Sequence, residues 1–388
     1  MKHGTTKTLR VGCILLAIFF LFCAFALLPQ QVQAANTNTV TATVTVGSEP
    51  GGVAVTPNGA YAYVANYQDN TASVINTTTN TVTATLTVGS KPGILCTSLS
   101  ADLAVTPNGA YAYVTNSGGT SVSVISTATN TVTATVTVGS EPVAVAVTPN
   151  GAYVYVTNYN SSSVSVISTA TNTVTATVTV GSEPGGVAVT PNGAYVYVTN
   201  LGSNSVSVIS TATNTVTATV TVGAYPAGEA VTPNGAYVYV TNSGNNSVSV
   251  ISTATNTVTA TVTVGRIPIG VAIMPNGAYA YVTNYNSNTT SVINTATNTV
   301  TATVTVGSEP TGVAVTPNGA YAYVTNFGSN SVSVISTATT ASPSPTIPEF
   351  PAQLLIITLV VFMITGLSAV IIAKKRITRA EKVHGNSP

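Results

Sequence analysis

From Asn38 onward the chain alternates apolar and polar positions with a period of two. Residues 183–223 show the pattern. The stretch GGVAVTP is apolar and runs into Pro191-Asn192-Gly193. AYVYVTN follows, then LGSN, then SVSVIS, then TATN, then TVTATVTV with Val or Ala on one face and Thr on the other. Alternation in β-branched and aromatic residues marks strands that bury one face. The breaks between them are turn chemistry. Pro fixes φ, Asn tolerates left-handed φ, and Gly needs no side-chain clearance. No 3.6-residue period appears in the unit. Each unit therefore predicts four short antiparallel strands, a, b, c and d.

The unit repeats. PNGAY occurs seven times, with its tyrosine at Tyr61, Tyr111, Tyr153, Tyr195, Tyr237, Tyr279 and Tyr321. The first spacing is 50 residues and the rest are 42. Four strands in roughly 40 residues is a propeller blade. One such sheet cannot bury both faces, but seven in a ring bury each face against a neighbour and leave no long free edge. Strand b carries bulk on both faces, Tyr195 and Tyr197 on one and Ala194, Val196 and Val198 on the other. Both faces are expected to pack against neighbouring blades. The fold class is all-β, a seven-bladed β-propeller of four-stranded antiparallel blades.

One segment stands outside this rhythm. NTVTATVTVGSEP, Asn38 to Pro50, has no unit in front of it to close, while the last unit has strands a, b and c but no d. The opening strand is therefore expected to complete the last blade as its outer strand.

Composition narrows the function. Charged residues are only 5% of the chain, against roughly 25% in ordinary soluble domains. Between Asn38 and Ser336 the bases are Lys91 and Arg266, and the acids are Glu49, Asp69, Asp102, Glu141, Glu183, Glu229 and Glu309. Nucleic-acid binding needs a basic stripe, and none is present. Both histidines, His3 and His384, fall outside the repeats. No Cys–His or Ser–His pair can form there, and the usual zinc and haem ligands are missing. No cofactor, metal or catalytic residue is expected. Asp69 has no spaced acidic ligand set around it for Ca²⁺.

The ends read as addresses. Lys2, Lys7 and Arg10 precede the apolar run Val11 to Leu28, and Val32-Gln33-Ala34 fits a small-residue cleavage site. Residues 1–34 are read as a secretory signal peptide, with an uncleaved anchor as the alternative. The propeller occupies 35–337. A Pro/Ser linker follows at 338–351. Residues 352–373 carry no charge and are long enough to span a bilayer as a helix. The basic tail, 374–388, begins Lys374-Lys375-Arg376 and is placed in the cytoplasm. The propeller is then extracellular and membrane-anchored. Of the cysteines, Cys13 and Cys23 lie in the signal. That leaves Cys96 alone in the mature chain, so packing must hold the fold without disulfides.

In such a ring the a–b and c–d turns lie on one face, and turn geometry alone accounts for their PNG and STATN residues. The other face varies. The residue before each d–a proline is Glu49, Lys91, Glu141, Glu183, Tyr225, Ile267 or Glu309. The residue after strand b is Tyr67, Ser117, Tyr159, Leu201, Ser243, Tyr285 or Phe327. Acids and aromatics would gather at one mouth, a composition that suits carbohydrate or protein surfaces. The candidate binding residues are Tyr67, Tyr159, Tyr285, Phe327, Glu49, Glu141, Glu183 and Glu309. The bland alternative is that they keep a charge-poor surface soluble. Eight extra residues fall between Gly89 and Pro107, in a segment holding Lys91, Cys96 and Asp102, and are read as a loop insertion. Glycosylation sequons begin at Asn76, Asn160, Asn245 and Asn288, all in expected loops.

Two resemblances follow. Tyr-Val-Thr-Asn stands at Tyr113–Asn116, Tyr155–Asn158, Tyr197–Asn200, Tyr239–Asn242, Tyr281–Asn284 and Tyr323–Asn326, with Tyr63-Val64-Ala65-Asn66 departing by one residue. This resembles the YVTN-type β-propeller repeats of surface-layer and other cell-surface proteins, notably of methanogenic archaea. Ile347-Pro348-Glu349-Phe350-Pro351, an apolar span and a basic cluster resemble a PEF-type C-terminal sorting signal. That resemblance implies an archaeosortase as partner and transfer to a lipid anchor, although the tail after Arg376 is longer than such signals usually carry. Together they imply a structural or adhesive surface protein whose partners are cell-envelope glycans or surface proteins. The alternative is an extracellular lactonase- or lyase-like propeller enzyme using the acidic central mouth, in which no one glutamate is set apart.

Overall fold

A computed structural model describes residues 38–93, 102–337 and 375–376. The signal segment, the linker with Pro348, Glu349 and Phe350, the apolar span and most of the tail lie outside the described residues. Among the described residues no helix is long and apolar enough to cross a membrane. The propeller falls within one compact unit, Asn36–Thr339.

Seven four-stranded antiparallel sheets form the blades. Blades 1 to 6 span residues 50–87, 103–137, 142–179, 184–221, 226–263 and 268–305. Blade 7 takes strands a to c from residues 310–336 and its outer strand from Thr39–Thr45. That outer strand pairs antiparallel with Ser331–Ser336, from Thr39 opposite Ser336 to Thr45 opposite Ser331. The expected closure is what forms. Each inner strand touches the inner strands on both sides, including Pro310–Val315 against Pro50–Val55, so the ring is complete.

The core lies between blades. Val187 of blade 4 packs with Tyr155, Val164 and Val166 of blade 3. At the seam, Val53, Val64 and Ile75 of blade 1 pack with Tyr323, Val332 and Val334 of blade 7. Each such side chain contributes roughly 1.5–3 kcal/mol by leaving water. Strand b is central and buried from its second residue to its last, while strand d exposes its threonines and buries one residue near its end.

The Tyr, Thr and Asn of YVTN each make a specific side-chain bond. The tyrosine hydroxyl crosses to the next blade and donates to the Oδ1 of the asparagine that precedes its strand d. The pairs are Tyr63–Asn130 at 2.6 Å, Tyr113–Asn172 at 2.9 Å, Tyr155–Asn214 at 2.8 Å and Tyr197–Asn256 at 2.8 Å. Tyr239–Asn298 at 2.6 Å, Tyr281–Asn38 at 2.7 Å and Tyr323–Asn80 at 2.8 Å complete the belt. Burial, with a smaller effect from Tyr61, pushes the Tyr63 hydroxyl up to about 12, so it remains a donor. Every accepting asparagine has positive φ, a conformation Asn tolerates better than other side chains. The threonine hydroxyl donates to an inner-strand carbonyl of the next blade, as Thr157 does to Gly185 and Thr199 to Ala227, both at 2.6 Å. The final asparagine donates its amide to two strand-c hydroxyls, as Asn200 does to Ser205 and Ser207.

The PNG turns also link blades. Gly59 sits at φ +72°, where only glycine is unstrained. A side chain there would meet Pro317 of blade 7 at 3.6 Å. The same Gly-to-Pro approach recurs around the ring.

Three expectations are corrected. Tyr195 does not share the burial of Tyr197: it is 43% exposed where Tyr197 is 1%. It stands at the first position of strand b, at the rim of the sheet, where no neighbouring blade covers it. Asn76 is the last residue of strand c, not a loop residue. In blade 2 the insertion interrupts strand a, leaving Pro92 and Gly93 bridged to Asn116 and a three-residue strand, Leu103–Val105.

Candidate functional site

The variable mouth is built from two chain segments per blade. The residue before each d–a proline has a left-handed φ, from +51° at Lys91 to +54° at Glu49 and Glu141. Such a φ is disfavoured for side-chain-bearing residues, most of all for the β-branched Ile267. It persists because hydrogen bonds hold both ends of the residue. The amide of Glu49 donates to Asn330 Oδ1 of blade 7 at 2.9 Å, and that of Glu309 to Asn288 Oδ1 of blade 6 at 2.9 Å. Its carbonyl accepts from the residue after strand b of its own blade. The pairs are Glu49–Tyr67, Lys91–Ser117, Glu141–Tyr159, Glu183–Leu201, Tyr225–Ser243, Ile267–Tyr285 and Glu309–Phe327. The two variable series thus become one pair per blade.

One sector joins three blades. The Tyr285 hydroxyl of blade 6 lies near the Glu309 carboxylate of blade 7 and the Glu49 carboxylate of blade 1. Burial first, then the Glu309 carboxylate and the Glu49 charge, push Tyr285 up to about 12. Glu49 Oε2 is buried with no hydrogen-bond partner among the described residues.

The other candidates are dispersed. Asn160 donates its side-chain amide to the Glu141 carboxylate, and burial pushes Glu141 upward. Glu183 lies against Gly202. Tyr159 is half-buried on Val143, and Phe327 is half-buried at the start of a short 3₁₀ turn. Tyr67 is only 4% exposed, and the Lys91 ammonium sits over its ring at 5.6 Å. Of the sequons, Asn160, Asn245 and Asn288 are exposed on this face. Asn245 and Asn288 use Oδ1 to accept the amides of Ala224 and Glu309.

Two carboxylates beneath the mouth are not among the candidate residues. In five blades a strand-a amide donates to the strand-b threonine, as Ala144 does to Thr157 and Gly186 to Thr199. Blade 1 has Ala65 there and no hydroxyl. Asp102 Oδ2, reaching across from blade 2, accepts the Gly52 amide instead at 2.8 Å. Its Oδ1 is buried without a partner among the described residues, and burial pushes Asp102 up to about 7 against the opposing hydrogen bond from Gly52. The signal was present as two departures, Ala65 in YVAN and Asp102 after the insertion, which only the ring brings together.

Glu229 stands where the other blades place Val53, Leu103, Val145, Val187, Val271 and Val313. It is 8% exposed, and its Oε2 lies where a Cβ on Gly186 would be, 2.0 Å away. Neither oxygen has a hydrogen-bond partner among the described residues. The nearby Thr199 hydroxyl is already donated to Ala227. Burial therefore dominates and holds Glu229 well above the usual carboxylate range. Burial raises both Asp102 and Glu229 above the ordinary carboxylate range. Among the described residues no three His, Cys, Asp or Glu side chains converge as a metal-binding group would.

Comparison with known proteins agrees with this architecture. No curated protein matches the chain. Among solved structures, a chain of Kuenenia stuttgartiensis hydrazine synthase is similar at TM-score 0.67 and 22% identity, over 80% of this chain and 98% of that one. At that identity the likeness shows the fold alone. Residues 23–176 and 213–304, more than half of the chain, match the family described as Lactonase, 7-bladed beta-propeller. The chain belongs to that family of seven-bladed propellers.

Proposed function

We propose that this protein is a YVTN-type propeller of a prokaryotic cell surface, tethered at its C-terminal side, that works by binding within the envelope as a structural or adhesive module. The observation that carries this reading is the junction of Tyr285, Glu309 and Glu49. Three blades contribute one aromatic hydroxyl and two carboxylates to one patch of the mouth. An aromatic edge beside fixed hydrogen-bond acceptors is suited to a sugar or to a polar protein surface. The Tyr and Thr side chains of YVTN bond between blades and the Asn bonds within its own blade, so at the mouth recognition falls to the residues that differ between blades. Tyr285→Ala with Glu309→Gln should weaken binding of the protein to isolated cell envelopes at least tenfold. Unchanged binding removes the mouth as the site.

Family membership favours a second reading, a lactonase-like enzyme. Asp102, with one oxygen that has no partner among the described residues and a pKa near neutrality, would be its base. Turnover of a lactone panel that disappears in Asp102→Asn would establish that reading over the first.

A further inference from the structure

The face opposite the mouth carries an aromatic ring that the binding reading above does not use. Tyr61, Tyr111, Tyr153, Tyr195, Tyr237 and Tyr321 are 38–43% exposed there, and Tyr279 is half-buried. They stand just after the PNG turns, one per blade. The hydroxyls of the six exposed tyrosines have no hydrogen-bond partner among the described residues. Beside Tyr237 an open groove runs between blades 5 and 6. Pro233, Asn234 and Tyr237 line one side, and Asn276, Gly277 and Thr295 the other. The same six residue types recur at all seven blade junctions. At the seam they are Pro317, Asn318 and Tyr321 against Asn58, Gly59 and Thr77.

The turns leave a donor pointing outward. Asn234 Oδ1 accepts the Thr232 hydroxyl at 2.7 Å and the Ala236 amide at 3.0 Å. Asn276 Oδ1 accepts the Ala278 amide at 3.0 Å. Both side chains are exposed, and their Nδ2 groups have no partner among the described residues. Each junction therefore offers an aromatic face flanked by two free amide donors. No Asp, Glu, Lys or Arg lies in any a–b or c–d turn.

We infer that this face binds a neutral polysaccharide, one sugar unit stacking on each tyrosine while the flanking Asn amides donate to its hydroxyls. The absence of charge selects the ligand class. A polymer bearing carboxylate or phosphate, or a peptide of mixed charge, would meet no counter-charge on this face. A neutral polyol needs only a ring to stack on and donors for its oxygens. Equal junctions at one-blade intervals suit a polymer of equal units. Each contact would be weak, and several engaged at once would gain through effective concentration. The inference adds a second surface to the binding reading and does not depend on the mouth.

The test uses the full-length chain with dextran, yeast mannan and a β-1,4-linked N-acetylglucosamine hexamer. Binding is read by calorimetry and by tyrosine emission, which is readable because the chain has no tryptophan. At least one of these should bind, and a long chain of the preferred sugar should bind at least tenfold tighter than its hexamer. Tyr111→Ala, Tyr153→Ala, Tyr195→Ala and Tyr237→Ala combined should reduce that affinity at least tenfold, with the circular dichroism spectrum unchanged. Tyr225→Ala, which removes an exposed tyrosine from the opposite face, should not. The length dependence in the unaltered protein needs no variant to fold. Absence of binding by all three glycans, or equal affinity for long and short chains, overturns the inference. So does binding of decaproline or self-association in their place. Loss that follows Tyr285→Ala and spares the four-tyrosine variant overturns it too, and leaves the mouth reading standing.

Discussion

At the scale of single residues, two substitutions explain each other. Ala65 removes a hydroxyl that five other blades use to hold a strand-a amide, and Asp102 supplies a carboxylate oxygen to the same amide. Asp102→Gly alone leaves the Gly52 amide unpaired, a cost of about 1–3 kcal/mol. Ala65→Thr alone crowds the Asp102 side chain. Combined, they recreate the arrangement of the other blades. A double-mutant cycle by chemical denaturation should show a favourable coupling of about 1 kcal/mol or more, and additive effects would refute the pairing. The cycle has a pH signature. The folded state raises Asp102 from 3.8 to about 7, so it holds this proton more tightly than the unfolded chain does. Stability from this group is full below pH ~4 and falls as pH rises to ~7, by on the order of 4 kcal/mol. The double variant should lose that slope. None of this was legible in the sequence. Asp102 looked like part of a loop, because the insertion hid its register. Glu229, by contrast, was readable from the repeat, since it stands 42 residues after Val187 and follows the same bulge, but it was counted only as one acid among several.

At the scale of elements, period-2 alternation and fixed spacing made all four strands of each blade legible, and the unpaired opening strand even showed where the ring closes. Alternation could not separate Tyr195 from Tyr197, which share a strand face. Height along the strand decides which one a neighbouring blade covers, and a repeat pattern carries no record of height. Nor could it place Tyr67, in register with Tyr159, under the Lys91 side chain of another blade. The role of the asparagine that opens each strand d was equally hidden, since its partner lies in a different repeat. Asn38 tests that role at the seam. Asn38→Ala removes the acceptor of the buried Tyr281 hydroxyl and should cost about 1–3 kcal/mol. Adding Tyr281→Phe should recover part of the loss. An Asn38→Ala protein as stable as the parent would show that the belt of tyrosine bonds contributes little.

At the scale of the whole molecule, the blades are joined by the same three sets of contacts at nearly every junction, and the seam between first and last blades is no exception. Removing residues 38–47 should therefore weaken blade 7, at the far end of the domain's sequence. Trypsin can report it. Within the propeller the basic residues are Lys91 and Arg266, and trypsin cuts poorly at a bond such as Lys91–Pro92. Arg266, whose amide is held by Ser287 at 2.8 Å, should resist cleavage in the intact ring. It should be cut at least tenfold faster once the closing strand is gone, and equal rates would show a ring that stays shut without it. Closure also sets a clock. The hydrogen bond from Thr41 to Val334 joins residues 293 positions apart. At ~5–20 residues per second of synthesis, strand Thr39–Thr45 waits roughly 15–60 s for the strand it pairs with. Through that interval a newborn chain carries a bare β-edge. Threonine at every second position gives that strand one polar face while the rest of the polypeptide is still being made.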